Sequence, residues 1–427
     1  MVSALSPQTW PFSLEWLPPS AYLVGGAVRD ALLDRASDYL DLDFVLPEKA
    51  VDTARELARQ YRAGFVLLDP QRQIARVVFE VGTADFAQQE GETLEKDLYR
   101  RDFTTNAIAY NPHRETFFDP LGGRGDLQRH WLRMVAPENL KDDPLRLLRA
   151  YRQAAQLGFT LEPETEKAIC QFAPLLGRVA AERVNSECGY LLGTAKGTPW
   201  LVRAWKDGLL SVWFPSANAE GIARLSQVDR AVKTAIALGP DLAPLLHREI
   251  RSTLRTTQIA IAKLATLVAT DPQSAEKELL RLKYSRPEIR GVVSLLSVWN
   301  QANSTETIEA LSIRELFFWF KGIGDLFPAF AVFALASGIA ADAIAPLVDR
   351  YLDPNDPVAH PKPLLSGKDL MRSLDIPKGP QIGRLLTAIQ IARAEGKIAT
   401  PCEAIAFCQR EMGEGDDAVT RGRGEGR

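Results

Sequence analysis

Strand-like runs crowd the first third of this chain and then cease, and that change of period constrains the fold more than any other feature. Up to about Asp126, the β-rich runs Tyr22 to Val24, Leu42 to Leu46, Phe65 to Leu68 and Ala75 to Val81 mix with helical segments such as Ala50 to Tyr61. From Pro144 onward apolar residues recur every three or four positions, as in Leu145, Leu148, Tyr151 and Ala155. The expectation is an α+β chain, an α/β head followed by an all-α remainder. A length of 427 residues allows about two to four domains.

Chemistry is concentrated in the head. Asp41 and Asp43 stand in Asp-Leu-Asp-Phe-Val-Leu, where a strand's period of two points both carboxylates to one face. Two oxygen ligands side by side suit Mg²⁺, which fills the rest of its shell with water and substrate phosphate. Upstream, Tyr22 to Val24 reads as a strand running through Gly25-Gly26 into a helix from about Ala27. Glycines let backbone approach a phosphate there, and Arg29 adds a fork of donors.

Three further clusters follow. In Arg100 to Ala107, Arg101 is a candidate triphosphate ligand and Asn106 a candidate for a ribose hydroxyl or phosphate. Asp119 to Leu127 is turn-rich and reads as structural. In Asp142 to Arg152, Pro144 in the first helical turn places Asp143 near the N-cap, with Arg146 three residues on. An acceptor beside donors matches the edges of cytosine and adenine. Uracil and guanine reverse that pattern and would leave buried groups unpaired, at roughly 1 to 3 kcal/mol each.

In order, Gly-Gly-Ala-Val-Arg-Asp, Asp-Leu-Asp, Arg-Arg-Asp-Phe-Thr-Thr-Asn-Ala, Asp-Pro-Leu-Arg-Leu-Leu-Arg and Glu182 to Glu187 resemble the five motifs of the class II tRNA nucleotidyltransferase and poly(A) polymerase family, across residues 20 to 190. Residues 365 to 383 resemble its tRNA-gripping tail. The resemblance implies a polymerase-β-like head (1–135), a helical neck (136–205) reading the base, a helical body (206–352) and a tRNA-binding tail (353–412), while the end (413–427), rich in glycine and in both charges, reads as disordered. It implies two-ion Mg²⁺ catalysis at Asp41 and Asp43, with Asp85 as a candidate third acid. Gly25, Gly26, Arg29, Arg101 and Asn106 would serve the phosphates and sugar, Asp143 and Arg146 the base, with Arg149 and Arg152 in support and Glu182 and Arg183 as braces. Asp34 stands where the family usually has glycine, Asp142 where it usually has glutamate, and the spacing from Arg29 to Asp41 is about two residues longer than usual.

Only Gln88 to Lys96 separates Ala87 from Asp97, where members building a whole CCA end have a longer, flexible loop. This resembles the CC-adding subgroup, which leaves the final A to a separate A-adding enzyme. The implied substrates are a tRNA 3′ end and CTP, with ATP for a full CCA-adding enzyme. A poly(A) polymerase and a non-catalytic RNA-binding protein are the other readings.

Net charge is −3, so an RNA partner must meet a local patch. Residues 361 to 400 supply one, with seven basic side chains, among them Lys368, Arg372, Lys378 and Arg384, against three acidic ones. The four cysteines form no CxxC pair, which fits a reducing cytoplasm, and the four histidines are scattered, which argues against a fused phosphohydrolase. No signal peptide is expected in residues 1 to 20, and the apolar run Leu326 to Ala341 is too short to span a membrane.

Overall fold

The computed structural model describes residues 4–35 and 39–421. Its head is built on a seven-stranded sheet: β1 (Tyr22–Val24), β2 (Leu40–Leu46), β3 (Gly64–Asp69), β4 (Ile74–Val78), β5 (Gly82–Gln88), β6 (Ala109–Asn111) and β7 (Thr116–Phe118). The spatial order is β3-β4-β5-β2-β1-β6-β7. β2 and β5 run parallel, and all other neighbours are antiparallel. Four helices accompany it: α1 (Gly26–Leu32), α2 (Ala50–Tyr61), α3 (Leu94–Tyr99) and α4 (Gly123–Arg129).

Alternation along β2 sets the two faces. Leu42, Phe44 and Leu46 are buried in a core with Ala54 and Leu57 of α2 and Phe86 of β5, where Phe44 stacks on Phe86 at 5.4 Å between ring centres. Asp41 and Asp43 therefore point to the opposite face. The run Ala75 to Val81, read as one strand, is instead the end of β4 and a tight turn closed by Phe79 N–H donating to the Gly82 carbonyl at 2.8 Å. A Cβ on Gly82 would lie 2.6 Å from the Leu40 carbonyl oxygen, so the close approach of β5 to β2 requires glycine.

Helices α5 (Pro137–Asp142), α6 (Leu145–Leu157), α7 (Pro163–Phe172) and α8 (Ala181–Leu192) continue the first unit, which also takes in most of Thr198–Lys206. α6 buries Leu145, Leu148, Tyr151 and Ala155 on one side and sets Arg146, Arg149 and Arg152 along another. It ends at Gly158, whose φ of +73° is the left-handed stop that glycine adopts freely. Strand does not cease altogether after Asp126: Trp131–Leu132 pairs with Thr160–Leu161, and Glu249–Arg251 with Thr256–Thr257. These two- and three-residue pairs are too short to leave a periodic signature.

The chain divides into two compact units, one holding residues through Leu191 with Pro199–Trp213, the other Leu192–Thr198 and the described chain from Phe214. The second is helical. Its helix Ala219–Leu238 packs against Phe327–Ala336, whose residues from Phe327 to Ala334 are all buried. Residues Ile313–Ala336 are long and apolar enough to cross a membrane by composition, but 67% of that window is buried in the fold and a 3₁₀ turn at Gly324–Leu326 interrupts it. The apolar run is therefore core. Helices Gly367–Leu374, Pro380–Ala394 and Pro401–Arg421 enclose Leu370, Leu385, Ile389 and Ala404. The last helix runs past Gly413, into the stretch expected to be disordered: Gly413 and Gly415 weaken a helix by about 1 kcal/mol each without blocking it, as proline would. Residues 422–427 lie outside the described residues.

Candidate active site

On the face of the sheet opposite the core, β2, β5 and β4 align their polar residues in a row. Asp43 is in register with Asp85, and Asp85 with Arg76. Asp41, two residues back, accepts a hydrogen bond from the Thr83 hydroxyl at 2.6 Å. Burial first, then the negative charges of Asp41 and Asp85, push the Asp43 carboxyl up to about 7. That cost marks a position short of positive charge, and a divalent cation on Asp41 and Asp43 would remove it. Asp85 is the neighbour its register demands, and Arg76 forks on it, donating from Nε to one oxygen at 2.6 Å and from Nη2 to the other at 2.8 Å. Among the described residues no group of three or more His, Cys, Asp or Glu side chains converges as a metal site. Two carboxylates suffice for Mg²⁺.

Gly25 turns the chain from β1 into α1 with φ +75°. A Cβ there would stand 3.2 Å from Asp43 Oδ2 and 3.6 Å from Arg101 Nη1, so the glycine keeps the carboxylate and the arginine close to bare backbone. The helix begins at Gly26, one residue before the expected start. Arg29 is held by Asp30 through Nε and Nη2, both at 2.9 Å, and donates from Nη1 to Asn106 Oδ1 at 2.8 Å. Asn106 is buried, and its amide N–H groups go to Asp102 (2.9 Å) and Gln153 (3.0 Å), so its donors already serve the protein and it holds Arg29 in place. Arg101 pairs loosely with Asp97 at 3.3 Å, and its buried Nε has no partner among the described residues. Gly25, Gly26, Arg29, Arg101, Asn106, Arg146, Arg149 and Arg152 line one cavity of about 360 Å³. Asp34, at the position where the resemblance expects glycine, has φ +52°, the left-handed conformation glycine favours.

Buried acids position the arginines of α6. Glu187 of α8 accepts from Arg149 Nε at 3.2 Å and from Arg152 Nε, and Asp102 lies 3.6 Å from Arg149. Burial alone would lower Arg149, but Asp102 and Glu187 outweigh it and hold its pKa above the ordinary value. Sequence reasoning nominated Glu182, which is exposed; Glu187, in the same motif, is the acid that turns inward. The i, i+5 offset between them distinguishes the faces of α8 only once its burial is known.

Asp143 ends α5 and lies one residue before Pro144, the N-cap residue of α6, and its carboxylate accepts from the Leu145 N–H at 3.3 Å, so it stands near the N-cap as expected. Its carboxylate takes a fork from Arg183 at 3.1 and 2.9 Å. Burial acts to raise Asp143, but the Arg183 donors and charge prevail and hold it below the usual carboxylate range. Arg146 donates to the carbonyls of Arg100 (2.9 Å) and Asn139 (3.1 Å). Asp142, Asp143, Arg146, Arg183, Arg100 and Arg101 line a second cavity, of about 540 Å³. The expected Asp143 and Arg146 pair thus shares a cavity, with Arg183 as the direct partner of the acid.

The same cavity is bordered by the short connection from β5 to α3, five residues from Gln89 to Thr93. It is tied down throughout. Gln89 N–H donates to the Leu46 carbonyl at 2.7 Å, Glu90 N–H to Asp97 at 3.0 Å, Glu90 pairs with Arg100, and Thr93 caps α3. In the second unit, Lys368, Arg372, Lys378 and Arg384 are all exposed, and none is in an ion pair among the described residues.

Comparison with known proteins agrees with this architecture. Residues 21–133 match the family described as the poly A polymerase head domain, 158–220 the probable RNA and SrmB-binding site of polymerase A, and 252–408 tRNA nucleotidyltransferase domain 2. The chain is 50% identical to a CC-adding tRNA nucleotidyltransferase of Synechocystis sp., over 95% of this chain and 97% of that one. It is 34% identical to an A-adding tRNA nucleotidyltransferase of Deinococcus radiodurans, over 92% and 96%. Its fold matches a CCA-adding enzyme solved with CTP, with a TM-score of 0.72 at 21% identity over 92% and 91% of the two chains.

Proposed function

The chain belongs to the tRNA nucleotidyltransferase and poly(A) polymerase family, and from that premise we propose that it adds two cytidines to the 3′ end of tRNA, using CTP and releasing pyrophosphate. The observation that carries the CC-adding reading is the tethered five-residue turn Gln89–Thr93, beside the cavity that holds Asp143 and Arg146. A site that changes from cytosine to adenine must reshape that cavity, and a turn fixed at both ends by backbone bonds and by Glu90 resists reshaping. The final adenosine is then left to a separate A-adding enzyme, and the cytoplasm is the compartment this implies.

Asp41 and Asp43 would hold Mg²⁺, which supplies charge neutralisation on the phosphates and makes the RNA 3′-hydroxyl a better nucleophile. Gly25 and Gly26 admit the triphosphate to the backbone, and Arg29 and Arg101 donate to its oxygens. Asp143 accepts from cytosine N4–H, while Arg146 donates to N3 and O2. Because Arg183 keeps Asp143 ionised, the acid acts as an acceptor only, which rejects the O4 acceptor of uracil. Arg149 and Arg152, fixed by Glu187, support the base-reading helix. The exposed basic residues Lys368, Arg372, Lys378 and Arg384 fit a grip on the tRNA backbone, and the head (1–135), neck (136–205), body (206–352) and tail (353–412) divide the work.

Asp43→Asn tests the catalytic assignment. It should leave the fold intact by circular dichroism and abolish incorporation of labelled CMP into tRNA lacking its CCA end. Full incorporation by a folded Asp43→Asn protein would overturn the assignment.

A further inference from the structure

The row Asp43, Asp85, Arg76 across β2, β5 and β4 places a cation two strands away from the Asp41 and Asp43 pair, and nothing in the reaction outlined above uses it. Registered positions on neighbouring strands share a face about 5 Å apart, so Asp85 sits beside Asp43, yet Asp41, Asp43 and Asp85 do not converge as a three-acid group. Arg76 closes a two-pronged fork on it, Nε to Oδ1 at 2.6 Å and Nη2 to Oδ2 at 2.8 Å. The Asp85 side chain is 17% exposed and that of Arg76 38%, so the acid is the more enclosed partner and the arginine covers it. Charge-assisted forks of this geometry are among the stronger side-chain hydrogen bonds, and the planar guanidinium fixes the carboxylate in one orientation.

We propose that Arg76 is a positioning residue that withholds Asp85 from the metal, so that the centre works with two carboxylates, Asp41 and Asp43. The fork fills one lone pair on each Asp85 oxygen and fixes the carboxylate's orientation, and its positive charge opposes the field that a third acid would add. A site of two carboxylates binds a divalent ion weakly on its own and draws the remaining ligands from the nucleotide. Metal occupancy therefore depends on the triphosphate, and the product pyrophosphate can leave without stripping ions from a three-acid cage. Asp85 keeps an indirect role: it holds Arg76 at the edge of the site.

This inference rests on the metal reading of Asp41 and Asp43, and the test separates the two. Mn²⁺ is titrated into nucleotide-free protein and the free ion is read by electron paramagnetic resonance, with circular dichroism as a check on folding. Arg76→Met, which keeps the length of the stem and removes the fork, should bind Mn²⁺ about tenfold more tightly, the change expected from one added carboxylate ligand in a partly exposed site. Arg76→Met combined with Asp85→Asn should return to the wild-type affinity. A merely structural role for Arg76 would weaken binding in both variants or leave it unmoved, and either result overturns the proposal. If Asp43→Asn binds Mn²⁺ as the wild type does, the metal reading itself falls and the role of Arg76 falls with it.

Discussion

Gly25 and Asp143 carry the sharpest consequences of single side chains. At Gly25, a φ of +75° and a Cβ placed 3.2 Å from Asp43 Oδ2 penalise any side chain twice. Gly25→Ala should cost about 1 kcal/mol of stability through the backbone and about a hundredfold in kcat through displacement of Asp43, measured by thermal melts and single-turnover incorporation. Asp143 has a lowered pKa, so its contribution is present above the ordinary carboxylate value and is lost only as pH falls through the lower folded value. Discrimination between CTP and UTP should therefore stay flat from about pH 6 to 9, and a titration of selectivity within that window would refute the ionised acceptor. Removing its partner in Arg183→Ala should raise KM for CTP about tenfold, the worth of a charged hydrogen bond, with a smaller effect on kcat.

Elements decide what the site can become. The turn Gln89–Thr93 is fixed by Leu46, Asp97 and Arg100, so a longer flexible segment grafted between Ala87 and Asp97 should permit A addition after CC. No gain of A, with CC addition intact, would assign the block to other residues. Between Gly367 and Ala394, Lys368, Arg372, Lys378 and Arg384, which form no ion pair among the described residues, should contribute to RNA affinity through counterion release. Replacing Lys368 and Arg372 with alanine should lower the salt slope of tRNA binding by about 0.7 to 0.9 per lost phosphate contact, read by filter binding at several salt concentrations. Elements are also where the sequence was least legible. β2 announced itself through alternating Leu, Asp and Phe, whereas β5 (Gly82–Gln88) hid behind glycine, alanines and an aspartate that β-propensity disfavours. Its place depends on Gly82 meeting Leu40 across the sheet, a tertiary contact with no local signal.

At the scale of the molecule, the division into a mixed head and a helical remainder was visible in the change of apolar period, because period reports which face is buried. The two aspartates and two glycines were legible for the same reason. Glu187 and Arg76 were not legible as partners, since each acts across elements that only packing brings together, whereas Arg183, expected as a brace, grips Asp143 directly. The buried aromatic core of the head contains neither Asp41 nor Asp43, the acids proposed to hold the metal. Chelation by EDTA should therefore abolish incorporation while the far-ultraviolet circular dichroism stays unchanged; loss of helical signal would make the metal structural.

A product ladder at single-nucleotide resolution, on tRNA lacking its CCA end with Mg²⁺, CTP and ATP all present, tests the account most directly. It predicts a product that stops at CC and gains no adenosine while ATP is available. A product completed to CCA would contradict the CC-adding reading, and no extension at all would contradict the assignment of a catalytic centre to Asp41 and Asp43.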